Sequence, residues 1–560
     1  MALSSPDTAA SPPVKRPRHI VLLCLTLVVA LIVLTPILTI AKIAAAGSGE
    51  DWPHLVEIVL PRSAQTTLIL MLLVGILTAS MGIVSAWLVM AYDFPFRKVL
   101  AWALILPLAI PTYLAAYAFG EFFHFTGPVQ SAIRTIFGYT TSRDYWFPDI
   151  RSVAGAAIVL SAVLYPYVYL TCRVVFLLQG RNIADAARTL GAPPMHVFAR
   201  ILLPVARPAI AAGVALALME TLNDIGAAEY LGVNTMTLAV YTTWLNRGSI
   251  EGAAQIAMVM LVIVLALLMA EQWARRRQRY HQVQTTQLKS PPLRQRLTGW
   301  RGALAFLLTI MPVGFGFAIP VYVLGGYALR RIEQFFEPEL LSALGNSVIT
   351  AAAAAFLAIM IVLLLLNAAR LARSRLMATI NRVSLFGYAL PGTILGFGLL
   401  YSLTAIDRHI GSFLQLTTGN TVGLVLSGSV LAVVLACTIR FLALADGAIR
   451  SGLDKLSPNL DEAARSLGRK PFGSAVHILL PLLRPAILTG AILVFVDTVK
   501  ELSATIVLRP FGFNTLATHV YENASRGVVQ DGAPAAMLII ATALVPVIVL
   551  SRSLMADKAA

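Results

Sequence analysis

The sequence predicts an all-α polytopic membrane protein of about twelve transmembrane helices arranged as two parallel six-helix repeats. Three observations predict it: apolar blocks near twenty residues long, basic residues recurring in alternate loops, and a mid-chain stretch that returns without gaps near the end.

The chain has 560 residues, 58% hydrophobic and 12% charged, where soluble chains run at about 45–50% and about 25%. Blocks of this length cross a bilayer core as helices, and a helix satisfies its own backbone polar groups there. The runs fall near 20–43, 64–91, 99–119, 152–174, 206–227 and 254–273, then near 303–324, 343–367, 383–404, 421–442, 484–507 and 534–551. The first follows Lys15, Arg16 and Arg18. It is about twice the length of a signal-peptide apolar region, so it is expected to stay as a span.

Residues 1–59 then hold an N-terminal tail and the first span, and 60–273 the rest of the first repeat. Residues 274–300 are a basic linker containing Pro291 and Pro292. Residues 301–340 hold the seventh span and its outer loop, 341–552 the remaining second repeat, and 553–560 a C-terminal tail.

The formal net charge of +16 does not form one nucleic-acid patch. Arg97 and Lys98, Arg173 to Arg207, Arg275 to Arg296, Arg370 to Arg382 and Arg465 to Arg484 share one side. The opposite loops carry Glu50, Asp51, Glu57, Asp144, Asp149, Glu229, Glu333, Glu337 and Glu339. The basic side is therefore expected to be cytoplasmic, with both termini on it. Cys24, Cys172 and Cys437 each lie in or beside an apolar run, so each is expected to be a small buried hydrophobe.

Residues 184–213 align on 461–490 with fifteen of thirty positions identical. An even number of spans per repeat makes the halves parallel, with a pathway expected at their interface. The repeated stretch is a cytoplasmic loop. Its first copy reads Asp185, Ala186, Ala187, Gly191 and, after Ile201-Leu202-Leu203, Pro204; its second reads Glu462, Ala463, Ala464, Gly468 and, after Ile478-Leu479-Leu480, Pro481. An acid at a helix start suits the positive end of the helix, and glycine permits the left-handed turn that stops it. Pro204 and Pro481 are expected to break the following apolar turn before the next span. Each half then presents a helix-turn-helix knob to a partner with two equivalent sockets. Plain surface-lying loops would need no such matched spacing.

This loop resembles the Glu-Ala-Ala signature of the permeases of binding-protein-dependent ABC importers, with Asp185 in place of glutamate in the first copy. The resemblance implies a type I importer fold and knobs that act as coupling helices in two copies of a cytoplasmic ATPase. It also implies a periplasmic substrate-binding protein and a bacterial inner-membrane location. The chain shows no phosphate loop: Gly468 to Ser474 has the glycine spacing without the lysine. ATP and Mg are thus expected at the partner, with no cofactor bound by this chain and no enzymatic activity of its own.

Charges inside spans are functional hypotheses by default. The fifth run carries Glu220, Asn223 and Asp224; the eleventh carries Asp497, Lys500 and Glu501. Glu220 matches Asp497 under the repeat and Asp224 matches Glu501, each pair spaced i, i+4 on one helix face. One reading lines a translocation pathway with these six residues. The other places them in the outer headgroup zone, paired with Lys500 or Arg247.

The stretches 107–117, 144–151, 164–170, 220–224 and 497–510 resemble the ferric-iron branch of that permease family. Ferric iron is a hard cation suited to carboxylate and phenolate oxygens. Tyr165, Tyr167 and Tyr169 supply phenols, though such stripes more often pack or sit at an interface. The eight histidines are scattered, so no metal-ligand cluster is indicated. Competing substrates are thiamine, a polyamine or a phosphonate. An ion-coupled secondary carrier fits twelve spans equally well but has no use for matched knobs. No HExxH motif or nucleophile elbow supports a membrane-embedded enzyme.

Overall fold

The computed structural model describes residues 17–178, 191–276, 294–372, 375–418, 423–453, 456, 460, 466 and 471–556. The first half comprises α1 (Pro17–Ala46), α2 (Leu60–Ala91), α3 (Arg97–Ala103), α4 (Thr112–Phe122), α5 (Pro128–Phe137), α6 (Val153–Leu178), α7 (Leu203–Asn223), α8 (Gly226–Tyr230), α9 (Met236–Leu245) and α10 (Ile250–Arg276). The second comprises α11 (Gly299–Val313), α12 (Ile319–Arg330), α13 (Pro338–Ala372), α14 (Arg375–Ser384), α15 (Gly392–Thr418), α16 (Val430–Leu453), α17 (Arg484–Val499), α18 (Thr505–Leu508), α19 (Leu516–Ser525) and α20 (Ala533–Ala556). Among the described residues eight helices are long and apolar enough to span, eleven when each sharply bent pair counts as one. The helix α20 overlies the twelfth predicted run.

Two of the bent pairs follow directly from sequence. A residue before proline is pushed out of the helical region. Ile110 (ψ 115°) precedes Pro111, and Leu390 (ψ 127°) precedes Pro391. The third and ninth runs therefore fold back by 98° and 108°, and they place the starts of α4 and α15 inside the bundle. The runs near 206–227, 484–507 and 421–442 are corrected. The first two helices stop at Asn223 and Val499, and α16 starts only at Val430.

Pro204 does not break its helix as expected. A π turn at Phe198–Leu202 precedes it, with the Leu203 N–H donating to the Phe198 carbonyl five residues back. The widened turn accommodates a residue that lacks its own N–H. The helix runs on from Met195 to Asn223. In the second half the bend does occur, by 60° at Leu483, just after Pro481. Cys172 and Cys437 are buried as expected, but Cys24 is exposed on α1.

The halves repeat in detail. The Met236 N–H donates to Thr67 Oγ1 (2.9 Å) and the Leu516 N–H to Ser347 Oγ (2.8 Å), each across 169 residues of chain. In each half a long helix packs along its partners, α2 on α6 and α7, α13 on α16 and α17. The leading helices reach across: α1 lies against α10 of its own half and α14 and α15 of the other, and α11 and α12, with the π turn Gly314–Ala318 between them, against α20 of their own half and α2, α4 and α6 of the other. Small residues permit this approach; a Cβ at Gly398 would collide with the Pro36 backbone, and one at Gly316 with Ala162. A two-residue parallel ladder (β1, Tyr92–Asp93; β2, Gln295–Arg296) ties the end of the linker to the end of α2.

Candidate functional site: a charged cavity between the halves

Within the bundle, α7 ends at Asn223 and Asp224 turns extended (ψ 113°) before α8. Its carboxylate Oδ1 accepts the Ala227 N–H at 2.8 Å. The second half repeats the device. Glu501 follows the end of α17 and accepts from the Ala504 N–H (2.9 Å), the Thr505 N–H (3.0 Å) and the Thr505 hydroxyl (2.7 Å). Each carboxylate caps the short helix that follows it. The expected shared helix face is thereby corrected: the helix breaks between the first acid and the second. Capping competes with helix continuation at such residues.

The broken helices enclose a small cavity of about 90 Å³. All six predicted pathway residues line it: Glu220, Asn223, Asp224, Asp497, Lys500 and Glu501. Sequence reading missed Arg440 of α16, which also lines it. Its guanidinium donates to Glu501 Oε1 at 2.7 Å, with both side chains below 10% exposed. The available signal was a charge inside an apolar run, facing Val163 at the repeat position of the other half. Lys500 Nζ lies 2.6 Å from Asp497, as the alternative reading expects, but the pair faces the cavity. Glu220 lies beside the Tyr388 hydroxyl.

Asn223 joins the halves. Its Oδ1 accepts the Gly392 N–H at the start of α15 (2.8 Å), and its carbonyl accepts the Ser503 hydroxyl (2.8 Å). Of the tyrosine stripe, Tyr167 lines the cavity, whereas the Tyr169 hydroxyl donates to the Ala101 carbonyl (2.8 Å) and Tyr165 is buried in the same apolar cluster. Among the described residues no three His, Cys, Asp or Glu side chains converge on a metal geometry.

Gly226 also borders a second, larger basin of about 910 Å³ on the side of the 123–152 loop. Two phenol–carboxylate pairs bridge the halves there. Tyr327 donates to Glu121 (2.8 Å) and Tyr521 to Glu229 (2.6 Å).

Asp185, Ala186, Ala187, Glu462, Ala463, Ala464 and Gly468 lie outside the described residues. Gly191 takes the expected left-handed conformation (φ 84°) and is exposed. Pro204 and Pro481 each sit in the first turn of a helix.

Comparison with known families settles the class. A model described as "Binding-protein-dependent transport system inner membrane component" matches residues 72–280 and again 366–556. This chain belongs to that family. It is a fusion of two permease repeats, and it is a multi-pass inner-membrane component. It is 25% identical to an Fe(3+)-transport system permease protein of Haemophilus influenzae over 538 residues, covering 94% of this chain and 98% of the relative. The sulfate transport system permease of Escherichia coli is 27% identical over 251 residues, covering 43% and 86% respectively. The molybdenum transport system permease of the same organism is 28% identical over 204 residues, covering 35% and 84%. These two align with less than half of the fused component, as single-repeat chains would.

Proposed function

We propose that this inner-membrane component is the permease of an ATP-driven importer that carries ferric iron from a periplasmic binding protein to the cytoplasm. The observation that carries the substrate class is the charge of the interfacial cavity. Among the described residues Glu220, Asp224, Asp497 and Glu501 face it together with Arg440 and Lys500, a formal excess of two negative charges. Inside a protein each uncompensated charge interacts with an ion about 5 Å away by about 3 kcal/mol at an effective dielectric near 20. That attracts a cation and repels an oxyanion such as sulfate.

The coupling role falls to the repeated cytoplasmic loops, with Asp185 to Gly191 and Glu462 to Gly468 docking on two copies of an ATPase subunit. ATP and Mg act there. Closure of the ATPases draws the loops together and opens the halves outward; a loaded binding protein then releases its ion, and hydrolysis resets the gate. Both termini and the basic linker lie in the cytoplasm in this scheme. The test is uptake in the native host with this chain deleted, comparing radiolabelled ferric iron, sulfate and molybdate. Loss of ferric-iron uptake alone supports the proposal. Intact iron uptake with lost oxyanion uptake would overturn it.

A further inference from the structure

The four cavity carboxylates are not equivalent once their hydrogen bonds are counted. Glu501 is saturated: one oxygen holds Arg440 and the Ala504 N–H, the other the Thr505 N–H and hydroxyl. Asp497 is held by Lys500. The second half therefore compensates its own acids. Of the first-half acids, Glu220 lies beside the Tyr388 hydroxyl and near the Arg440 and Lys500 charges, whereas Asp224 has no cation beside it. Asp224 uses Oδ1 as a helix cap, and the Thr112 side chain lies beside the carboxylate. Its Oδ2 is buried and accepts no hydrogen bond. At the repeat position of Arg440 the first half has Val163, and among the described residues that line the cavity both cations come from the second half.

A second unbonded oxygen belongs with that of Asp224. Tyr113, the second residue of α4, lines the cavity with its side chain 4% exposed. Its hydroxyl has no hydrogen-bond partner, and a buried orphan of that kind normally costs about 1–3 kcal/mol. The seat is shaped for it: a Cβ at Gly226 would lie 2.8 Å from the Tyr113 Cβ, so the turn after Asp224 must carry glycine for the phenol to sit there. In the second half the matching residue is Thr393, which does not line the cavity. From Tyr113 an edge-to-face ladder runs outward through Tyr117 (5.9 Å) to Tyr230 (4.8 Å). The last two border the outer basin. Phenols of the first half thus connect basin to cavity.

We propose that Tyr113 and Asp224 form a first-half receiving site for a hard cation, contacted in transit through phenol and carboxylate oxygens. The inference rests on the cation-importer reading above. Hard cations take oxygen ligands of this kind, and an ion in passage needs a site loose enough to leave. The absence of a three-carboxylate or histidine cage among the described residues suits passage rather than residence.

The test uses the full chain in lipid nanodiscs with terbium(III) as an oxygen-seeking trivalent probe, read by tyrosine-sensitised luminescence. Ferric-iron uptake in the native host is followed in parallel. Tyr113→Phe keeps the ring and removes the oxygen. Asp224→Asn keeps the helix cap, since asparagine caps as well as aspartate, and removes the charge. Each is expected to weaken terbium binding by roughly tenfold, the lower end of what loss of a metal-site partner costs, and to cut iron uptake in step. Thr393→Val is expected to change neither. If terbium binding instead depends on Glu121 or Glu229 and ignores Tyr113 and Asp224, the receiving site lies in the outer basin and the inference fails. If wild-type cells take up iron and both variants match them in uptake and terbium binding, the inference fails while the importer reading stands. If the wild-type chain supports no iron uptake, the importer reading falls first.

Discussion

Arg440→Met tests the charge arrangement most directly. The substitution keeps length and apolar packing but leaves the Glu501 carboxylate, 1% exposed, without its cation. Breaking a buried pair by removing one partner costs about 3–5 kcal/mol. Three donors still hold Glu501, from the Ala504 N–H, the Thr505 N–H and the Thr505 hydroxyl, so the lower end of that range is expected. At about 2–4 °C per kcal/mol for units of 150–250 residues, the melting midpoint of a half should fall by roughly 6–12 °C. The assay is thermal unfolding of the purified chain in detergent, run as a double-mutant cycle with Glu501→Gln. Glutamine retains the cap and needs no counter-charge, so Arg440→Met with Glu501→Gln should recover more than half of the loss. Additive losses from the two changes, or an Arg440→Met midpoint equal to wild type, would refute the assignment of this pair as a coupled buried unit.

Three further outcomes are expected. Asn223→Ala removes the acceptor of the Gly392 N–H, a buried donor whose orphaning costs about 1–3 kcal/mol. The contact between the halves should weaken, seen as raised ATP hydrolysis by the assembled importer without binding protein; unchanged basal hydrolysis would count against a clasp. Gly191→Val places a branched side chain at φ 84°, where a left-handed backbone costs about 1–2 kcal/mol. Uptake should fall at normal membrane abundance, and full uptake would remove Gly191 from the coupling loop. In the loop before α6, the backbone N–H groups of Thr141 and Thr140 hold the Asp144 carboxyl below its ordinary range. A depressed folded value makes the turn's stabilisation complete above the unperturbed value near 3.9 and lost as pH falls through the lower folded value. Hydrogen exchange of residues 139–146 should thus stay slow down to about pH 4 and speed up below it, and Asp144→Asn should abolish that step.

The sequence was legible where one local rule decides. Apolar length gave the spans, Pro111 and Pro391 carried the signal for the two deep bends, and glycine at 191 required its turn. The repeat foretold the interface, because two parallel copies of one unit must meet about an axis. All six charged and polar residues singled out inside runs do line one cavity. Helix ends were less legible: Asp224 and Glu501 read as continuing a helical period, yet each caps the next short helix, a choice that depends on which backbone groups the fold leaves open.

Tertiary structure alone decided the partners. Nothing local distinguishes Glu501, saturated by Arg440 from another helix 61 residues earlier, from Asp224, which keeps an oxygen unbonded. Nor does any spacing announce that Tyr113 reaches the same cavity, or that α1 packs on the other half as well as on α10 of its own. Periodicity and composition act along the chain and fix which segments enter the membrane. Charge balance is settled across the chain, by which distant side chains exclude water together.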